Sequence, residues 1–124
     1  MTQKRVAILT ASKPSLTPFI LEKAGTPGFI PLAIGGLQDV PAFRDSILSN
    51  GAMLDKAEIK KDVVHVAHDL MSEYPDIGTF VLECHNLAPY GGALASATGK
   101  PVFDIVSFAQ WVYNSIVKRE FPDP

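Results

Sequence analysis

Apolar and polar positions fall into two regimes along this chain: compact apolar runs, and longer stretches in which apolar residues return every three or four places. That alternation predicts strands exchanged with helices. Arg5-Val6-Ala7-Ile8-Leu9 is a compact run ended by Thr10-Ala11-Ser12-Lys13-Pro14-Ser15, a buried strand feeding a polar loop. A helix follows, with Ser15 as N-cap, Pro18 in the first turn, Phe19, Ile20, Leu21 and Ala24 as its apolar stripe and Gly25 at its end. Phe29-Ile30-Pro31-Leu32-Ala33-Ile34 predicts a second strand. Pro31 removes a backbone donor, which a sheet tolerates best at its edge, so this strand is expected outermost. The loop Gly35-Gly36-Leu37-Gln38-Asp39 then leads to a short helix over 41–48 that ends at Asn50-Gly51.

The longest helix is predicted from Asp55 to Tyr74. Asp55 and Glu58 have the spacing of a capping box, and Ile59, Val63, Val66, Ala67, Leu70, Met71 and Tyr74 share one face. His65 and His68 fall on the other side with no third ligand nearby, so they read as solvent-facing and no metal site is expected. Pro75-Asp76 stops this helix, and a β-branched and aromatic run, Thr79-Phe80-Val81-Leu82, breaks into Glu83-Cys84-His85-Asn86. A small-residue helix from Ala88 to Thr98, closed by Gly99-Lys100, leads to a fourth strand, Pro101-Val102-Phe103-Asp104-Ile105-Val106. The last helix, Ser107 to Arg119, carries Phe108, Trp111, Val112, Ser115 and Ile116 on one face.

Strands alternating with helices imply right-handed crossovers, hence a three-layer α/β/α fold around a four-stranded parallel sheet. With the proline-bearing strand outermost, the expected strand order is 2-1-3-4. The topological switch then lies between strands one and three, and a ligand belongs in the crevice at their carboxyl ends. Those ends are Thr10-Ala11-Ser12 and Cys84-His85-Asn86.

Composition narrows what such a crevice can do. The 124 residues and 13.4 kDa suit one domain over 1–124, and 47% hydrophobic residues with a net charge of -2 describe a soluble globular protein without a basic patch for nucleic acid. No apolar run approaches the roughly 20 residues of a spanning helix, and Met1 leads directly into a strand, so a membrane partner is not expected and the cytoplasm is the expected compartment. Cys84 is the only cysteine and cannot form an intrachain disulfide. A lone cysteine at a strand end is commonly a small buried hydrophobe, but the polar company of Cys84 favours a free thiol acting as base, acid or nucleophile. Amides opening toward the helices after Ser12 and after Asn86 would favour an anion such as a carboxylate, and would favour the thiolate too. His85 leaves an extended chain on the opposite side from Cys84, so a thiolate and imidazole pair is not implied.

The phrase Leu82-Glu83-Cys84-His85-Asn86, with Ala88-Pro89-Tyr90 and the later stretch from Ala97 to Val106, resembles the carboxyl-terminal lobe of the aspartate/glutamate/hydantoin racemase superfamily. Phrases around Val6–Ser12 and Ala33–Arg44 are similar to the same lobe. The resemblance implies a flavodoxin-like lobe and a cofactor-independent enzyme moving a proton next to a carboxylate, a racemase or isomerase of amino acids and their derivatives. Cys84 would be its acid/base group, and Thr10, Ala11, Ser12, His85 and Asn86 would bind the substrate. The chain departs from the family in having His85 where threonine is usual and in lacking the opposing lobe with its second cysteine. Decarboxylases similar to this family work with one cysteine in this lobe. Three readings follow: an enzyme completed by a second copy or a partner lobe, a non-catalytic module that binds a small carboxylate, and a structural remnant of a larger enzyme. The small-residue helix after the site favours close approach of another surface, hence a homo-oligomer or partner lobe.

Overall fold

In the computed structural model, which describes residues 4–48 and 53–124, four strands form one parallel sheet. They are β1 (Arg5–Thr10), β2 (Leu32–Gly36), β3 (Ile77–Leu82) and β4 (Val102–Asp104), in the order β2-β1-β3-β4. The expected α/β fold and strand order are therefore observed, with β2 at an edge and β1 beside β3. β2 starts at Leu32 rather than Phe29, because Pro31 cannot donate to the ladder. Pro31 sits just outside the strand, where its carbonyl accepts the Val6 amide at 3.0 Å.

Alternation along the strands sends Ala7, Leu9, Ala33, Phe80 and Leu82 to one face of the sheet, and all of them are buried. Helix α3 (Lys56–Glu73) closes that face with Ile59, Val63, Ala67 and Leu70. Asp55 caps α3 by accepting the Glu58 amide at 3.1 Å, but the Glu58 carboxylate pairs with Lys61 at 2.7 Å, so only half of the expected capping box forms. Gly35 lets α3 lie close on β2, since a Cβ there would stand 2.8 Å from Leu70 Cδ1 and 2.9 Å from Val66 Cγ1. His65 and His68 are exposed on the far side of α3.

The other sheet face is more thinly covered: Val6, Ile34 and Val81 are half-buried and Phe103 is 61% exposed. Helix α1 (Pro18–Lys23) buries none of its residues, contrary to the stripe expected of Phe19, Ile20, Leu21 and Ala24. Lys13–Ser15 forms a 3-10 turn, so the cap moves from Ser15 to Thr17, whose Oγ1 accepts the Ile20 amide at 3.3 Å. Six residues remain for the helix, too few to span the sheet. Helix α2 (Pro41–Phe43) widens into a π-type turn over Arg44–Leu48, and the expected end at Asn50-Gly51 lies outside the described residues.

After β3 the chain makes a 3-10 turn over His85–Tyr90, and α4 (Gly91–Thr98) begins three residues later than expected. Gly99, at φ 68°, ends α4 in the left-handed conformation. β4 is shorter than predicted because Asp104 is an N-cap: it accepts the Ser107 amide at 2.8 Å and the Ser107 hydroxyl at 2.9 Å. Helix α5 (Ile105–Ile116) therefore starts where the sequence pattern suggested more strand. Among the described residues, no helix is long and apolar enough to cross a membrane.

Arg5 clasps the amino-terminal end of the sheet, opposite the carboxyl ends of the strands. Its Nε donates to Asp76 at 2.9 Å, its Nη1 donates to the Leu32 carbonyl at 3.1 Å, and its guanidinium lies 4.7 Å from the Tyr74 ring centre. The hydrogen bond from Arg5 holds the Asp76 carboxyl below its ordinary pKa. Such a depressed carboxylate stabilises the fold above its unfolded pKa, and the contribution is lost as pH falls through the folded value. Carbon-detected NMR titration should find Asp76 titrating low in the folded chain, and Arg5→Met should return it toward the ordinary carboxylate value. Gly35→Ala should overpack the contact between α3 and β2 and lower stability by about 1–3 kcal/mol in urea denaturation.

Candidate functional site

A pocket of ≈ 330 Å³ opens at the carboxyl ends of β1 and β3, lined by Thr10, Ala11, Ser12, Ser15, Leu16, Ile20, Glu83, Cys84 and His85. The strand order is what assembles it. The ladder pairs Leu9 with Leu82, and the Glu83 amide extends it by donating to the Leu9 carbonyl at 2.9 Å. Thr10 and Glu83 are thereby set side by side, although they lie 73 positions apart in the chain.

Of the residues singled out from the sequence, Thr10, Ala11, Ser12, Cys84 and His85 line this pocket, and Asn86 does not. Thr10 is 3% exposed, and its hydroxyl donates to Glu83 Oε2 at 2.7 Å. Ser12 is half-buried, and its Oγ lies 3.0 Å from Ser15 Oγ. One of these two hydroxyls donates to the other, which leaves one O–H free for a ligand. Cys84 is partly buried against the core while also reaching the pocket, and its carbonyl accepts the Leu87 amide at 2.9 Å to open the 3-10 turn. His85 is exposed at the pocket rim.

Glu83 is the residue that sequence reasoning passed over. Among the described residues that line the pocket, its carboxylate is the only acidic group, and none of them is a lysine or arginine. The signal was available in the expected strand order, because β1 beside β3 puts the residue before Cys84 next to the end of β1. Glu83 also changes the electrostatics. The anion-binding expectation rested on helix-terminal amides, but the elements after Ser12 and after Cys84 are 3-10 turns of three and six residues, too short to sum a sizeable dipole. A fixed carboxylate with weak opposing dipoles suits a ligand that carries positive charge at that point.

Four larger hollows lie elsewhere, two of them lined in part by lysine side chains. One, of ≈ 580 Å³, is formed by the end of α5 and the tail that follows, and the other, of ≈ 630 Å³, runs between α3 and α4 past Lys60, Lys61, His65 and His68. Both are open surface troughs. In the second, Lys61 is committed to Glu58 and His65 lies 3.3 Å from Asp69. Among the described residues, no cluster of three or more His, Cys, Asp or Glu side chains could hold a metal ion.

No family model matches the chain. No solved structure matches it. Among curated proteins, it is 28% identical over 120 residues to a dimethylsulfoniopropionate lyase of Durusdinium sp. clade D, a match covering 94% of this chain and 39% of that protein. It is 32% identical over 112 residues to dimethylsulfoniopropionate lyase 7 of Emiliania huxleyi (strain CCMP1516), covering 84% of this chain and 32% of the lyase. Dimethylsulfoniopropionate lyase 3 of the same strain is 30% identical over 122 residues, covering 92% and 31%. The chain thus spans about a third of the length of the curated relatives it matches.

These names correct the reading drawn from Leu82-Glu83-Cys84-His85-Asn86. The relatives are lyases, a different family from the aspartate/glutamate/hydantoin racemase superfamily, and the racemase, isomerase and amino-acid assignments fall with that resemblance. The physical reason lies in what the phrase encodes: a buried strand ending in a thiol and a small-residue turn builds a strand-end pocket whatever reaction the pocket serves.

The Thr10–Glu83 contact yields a test of the site's architecture. Thr10→Val, which keeps the shape and removes the donor, should cost about 1 kcal/mol in chemical denaturation. Combining it with Glu83→Ala, which removes the acceptor, should cost less than the sum of the two single changes, whereas strict additivity would mean that the hydrogen bond does not form in solution.

Proposed function

We propose that this chain supplies the thiol-bearing wall of a lyase site for a small carboxylate that also carries an onium charge, as dimethylsulfoniopropionate does. The single observation that carries this reading is the meeting of Cys84 with a carboxylate, Glu83, in one pocket at the ends of β1 and β3. The match to proteins named as lyases of that compound supports it.

The chemistry follows from the compound. In its thiolate form Cys84 takes a proton from the carbon next to the substrate carboxylate and becomes a thiol. The C–H electron pair becomes the new carbon–carbon double bond, and the carbon–sulfur pair leaves with sulfur, which departs as a neutral thioether. The free hydroxyl of the Ser12 and Ser15 pair is a donor for the substrate carboxylate, where negative charge accumulates as the proton leaves. Glu83, held by Thr10, faces the sulfonium. A thioether leaving group explains how one cysteine suffices: elimination needs a single proton acceptor on one side, where inversion of a centre needs an acid and a base on opposite sides. The other reading, a module that binds the compound without breaking it, is favoured by the chain's spanning only about a third of its relatives.

Headspace gas chromatography separates the two. With dimethylsulfoniopropionate as substrate, the chain should release dimethyl sulfide, and Cys84→Ala should reduce release at least 100-fold while leaving binding of the compound within a few-fold. Release that survives Cys84→Ala would end the thiol mechanism, and saturable binding without release by the unaltered chain would leave only the binding module. Glu83→Gln should weaken binding of the sulfonium compound about fivefold, or ~1 kcal/mol for one solvent-facing charge contact, with propionate binding no weaker.

A further inference from the structure

Tyrosine aside, Thr10 carries the only polar side chain that is buried among the described residues, and it lines the strand-end pocket. A hydroxyl is costly to bury unless its hydrogen bonds are made inside the protein, and those of Thr10 join two different walls of the pocket. Its O–H donates to Glu83 Oε2 at 2.7 Å, and its oxygen accepts the Ser12 amide at 3.4 Å. Thr10 itself has little freedom to move. The ladder between β1 and β2 sets it beside Gly36, its carbonyl accepts the Leu37 amide at 3.0 Å, and a β-branched side chain is stiff at χ1. The two groups it holds are fixed from elsewhere as well. Past Ser12 the Lys13 amide donates to Gln38 Oε1 at 3.1 Å, and the Ser15 amide returns to the Ser12 carbonyl at 3.1 Å. Glu83 is anchored by the bond from its own amide to the Leu9 carbonyl.

We propose that Thr10 is a positioning residue that sets which length of substrate this site takes, by fixing Glu83 and Ser12 on one oxygen atom. The inference rests on the lyase reading, in which Glu83 faces the onium and the hydroxyls of Ser12 and Ser15 face the carboxylate. Both ends of a zwitterion are then measured from the Thr10 hydroxyl. The single proton of that hydroxyl is spent on Glu83, so Thr10 acts through its neighbours rather than on the substrate. Glu83 Oε2 is committed in turn, and Oε1 is the atom left for a cation. A loose pair of charge-binding groups would adapt to zwitterions of many lengths, each at some cost in side-chain freedom. A pair tied to one atom selects, because a substrate with one methylene fewer or more can satisfy only one end at a time. Elimination gains from this: with both ends held, the carbon that gives up its proton is kept beside Cys84, and two carbons between carboxylate and sulfur is the span that fits.

Isothermal titration calorimetry with three dimethylsulfonio carboxylates tests it: the acetate, the propionate and the butanoate, whose charged ends are separated by one, two and three carbons. A Cys84→Ala background keeps them from being consumed. The propionate should bind about fivefold tighter than either neighbour, less than the roughly tenfold or more that one methylene is worth in a closed apolar pocket. Thr10→Val should bring the three affinities within about twofold of one another, and Thr10→Ser, which keeps the hydroxyl, should restore most of the preference. The ratio is the readout, since a purely structural loss lowers all three affinities together. An unchanged preference in Thr10→Val, an equal weakening of all three compounds, or no preference before Thr10 is altered would each overturn the proposal while leaving the lyase reading in place. Binding of none of the three would overturn that reading, and the length selection with it. Should Thr10→Val unfold, Thr10→Ala removes the same hydroxyl without placing a methyl where the oxygen was, and its ratio decides in the same way.

Discussion

One backbone hydrogen bond, from the Glu83 amide to the Leu9 carbonyl, decides where the strand-end pocket of this molecule forms. It carries the ladder between β1 and β3 one step past the last paired residues, and so brings the end of one strand level with the end of the other. Thr10 then reaches Glu83, Cys84 turns into the pocket, and the loops after both strands share a single mouth. Inserting another strand between β1 and β3 would leave every one of these residues in place along the chain and the pocket unmade.

The charge inside that mouth matters more than the amides around it. Expectation favoured an anion, because short polar loops before helices concentrate amide donors. In the folded chain the turns are 3-10 and brief, while a carboxylate occupies the wall. A dianionic substrate would meet that carboxylate with repulsion, whereas a zwitterion can offer its negative end to the Ser12 and Ser15 hydroxyls and its positive end to Glu83. The polar phrase around Cys84 is therefore better read as the plan of a pocket than as the signature of one reaction.

What was readable in the chain was what depends on long patterns. Strand order followed from the backbone chemistry of Pro31, the 18-residue helix α3 from seven apolar positions on one face, and the pocket's location from topology. What was misread depends on single capping choices. Thr17 outcompeted Ser15 because a 3-10 turn intervened, and Asp104 ended β4 by capping α5 two residues before the apolar run gave out. Both are local contests between a side-chain oxygen and the continuing backbone, and periodicity is blind to them. Glu83 was overlooked for a different reason: its meaning comes from Thr10, and only the sheet brings the two together.

The same parallel order sets the pace at which the pocket can exist. β1 leaves the ribosome well before β3, its central partner, and no local hairpin can hold β1 in the meantime. Every contact across the pocket waits on closure of a loop of about 70 residues, so folding is expected to be slow and cooperative, with the site appearing in the last committed step. Until residue 84 is free of the exit tunnel, β1 remains an apolar segment without its central neighbour, the stage at which such a chain depends most on a holding chaperone.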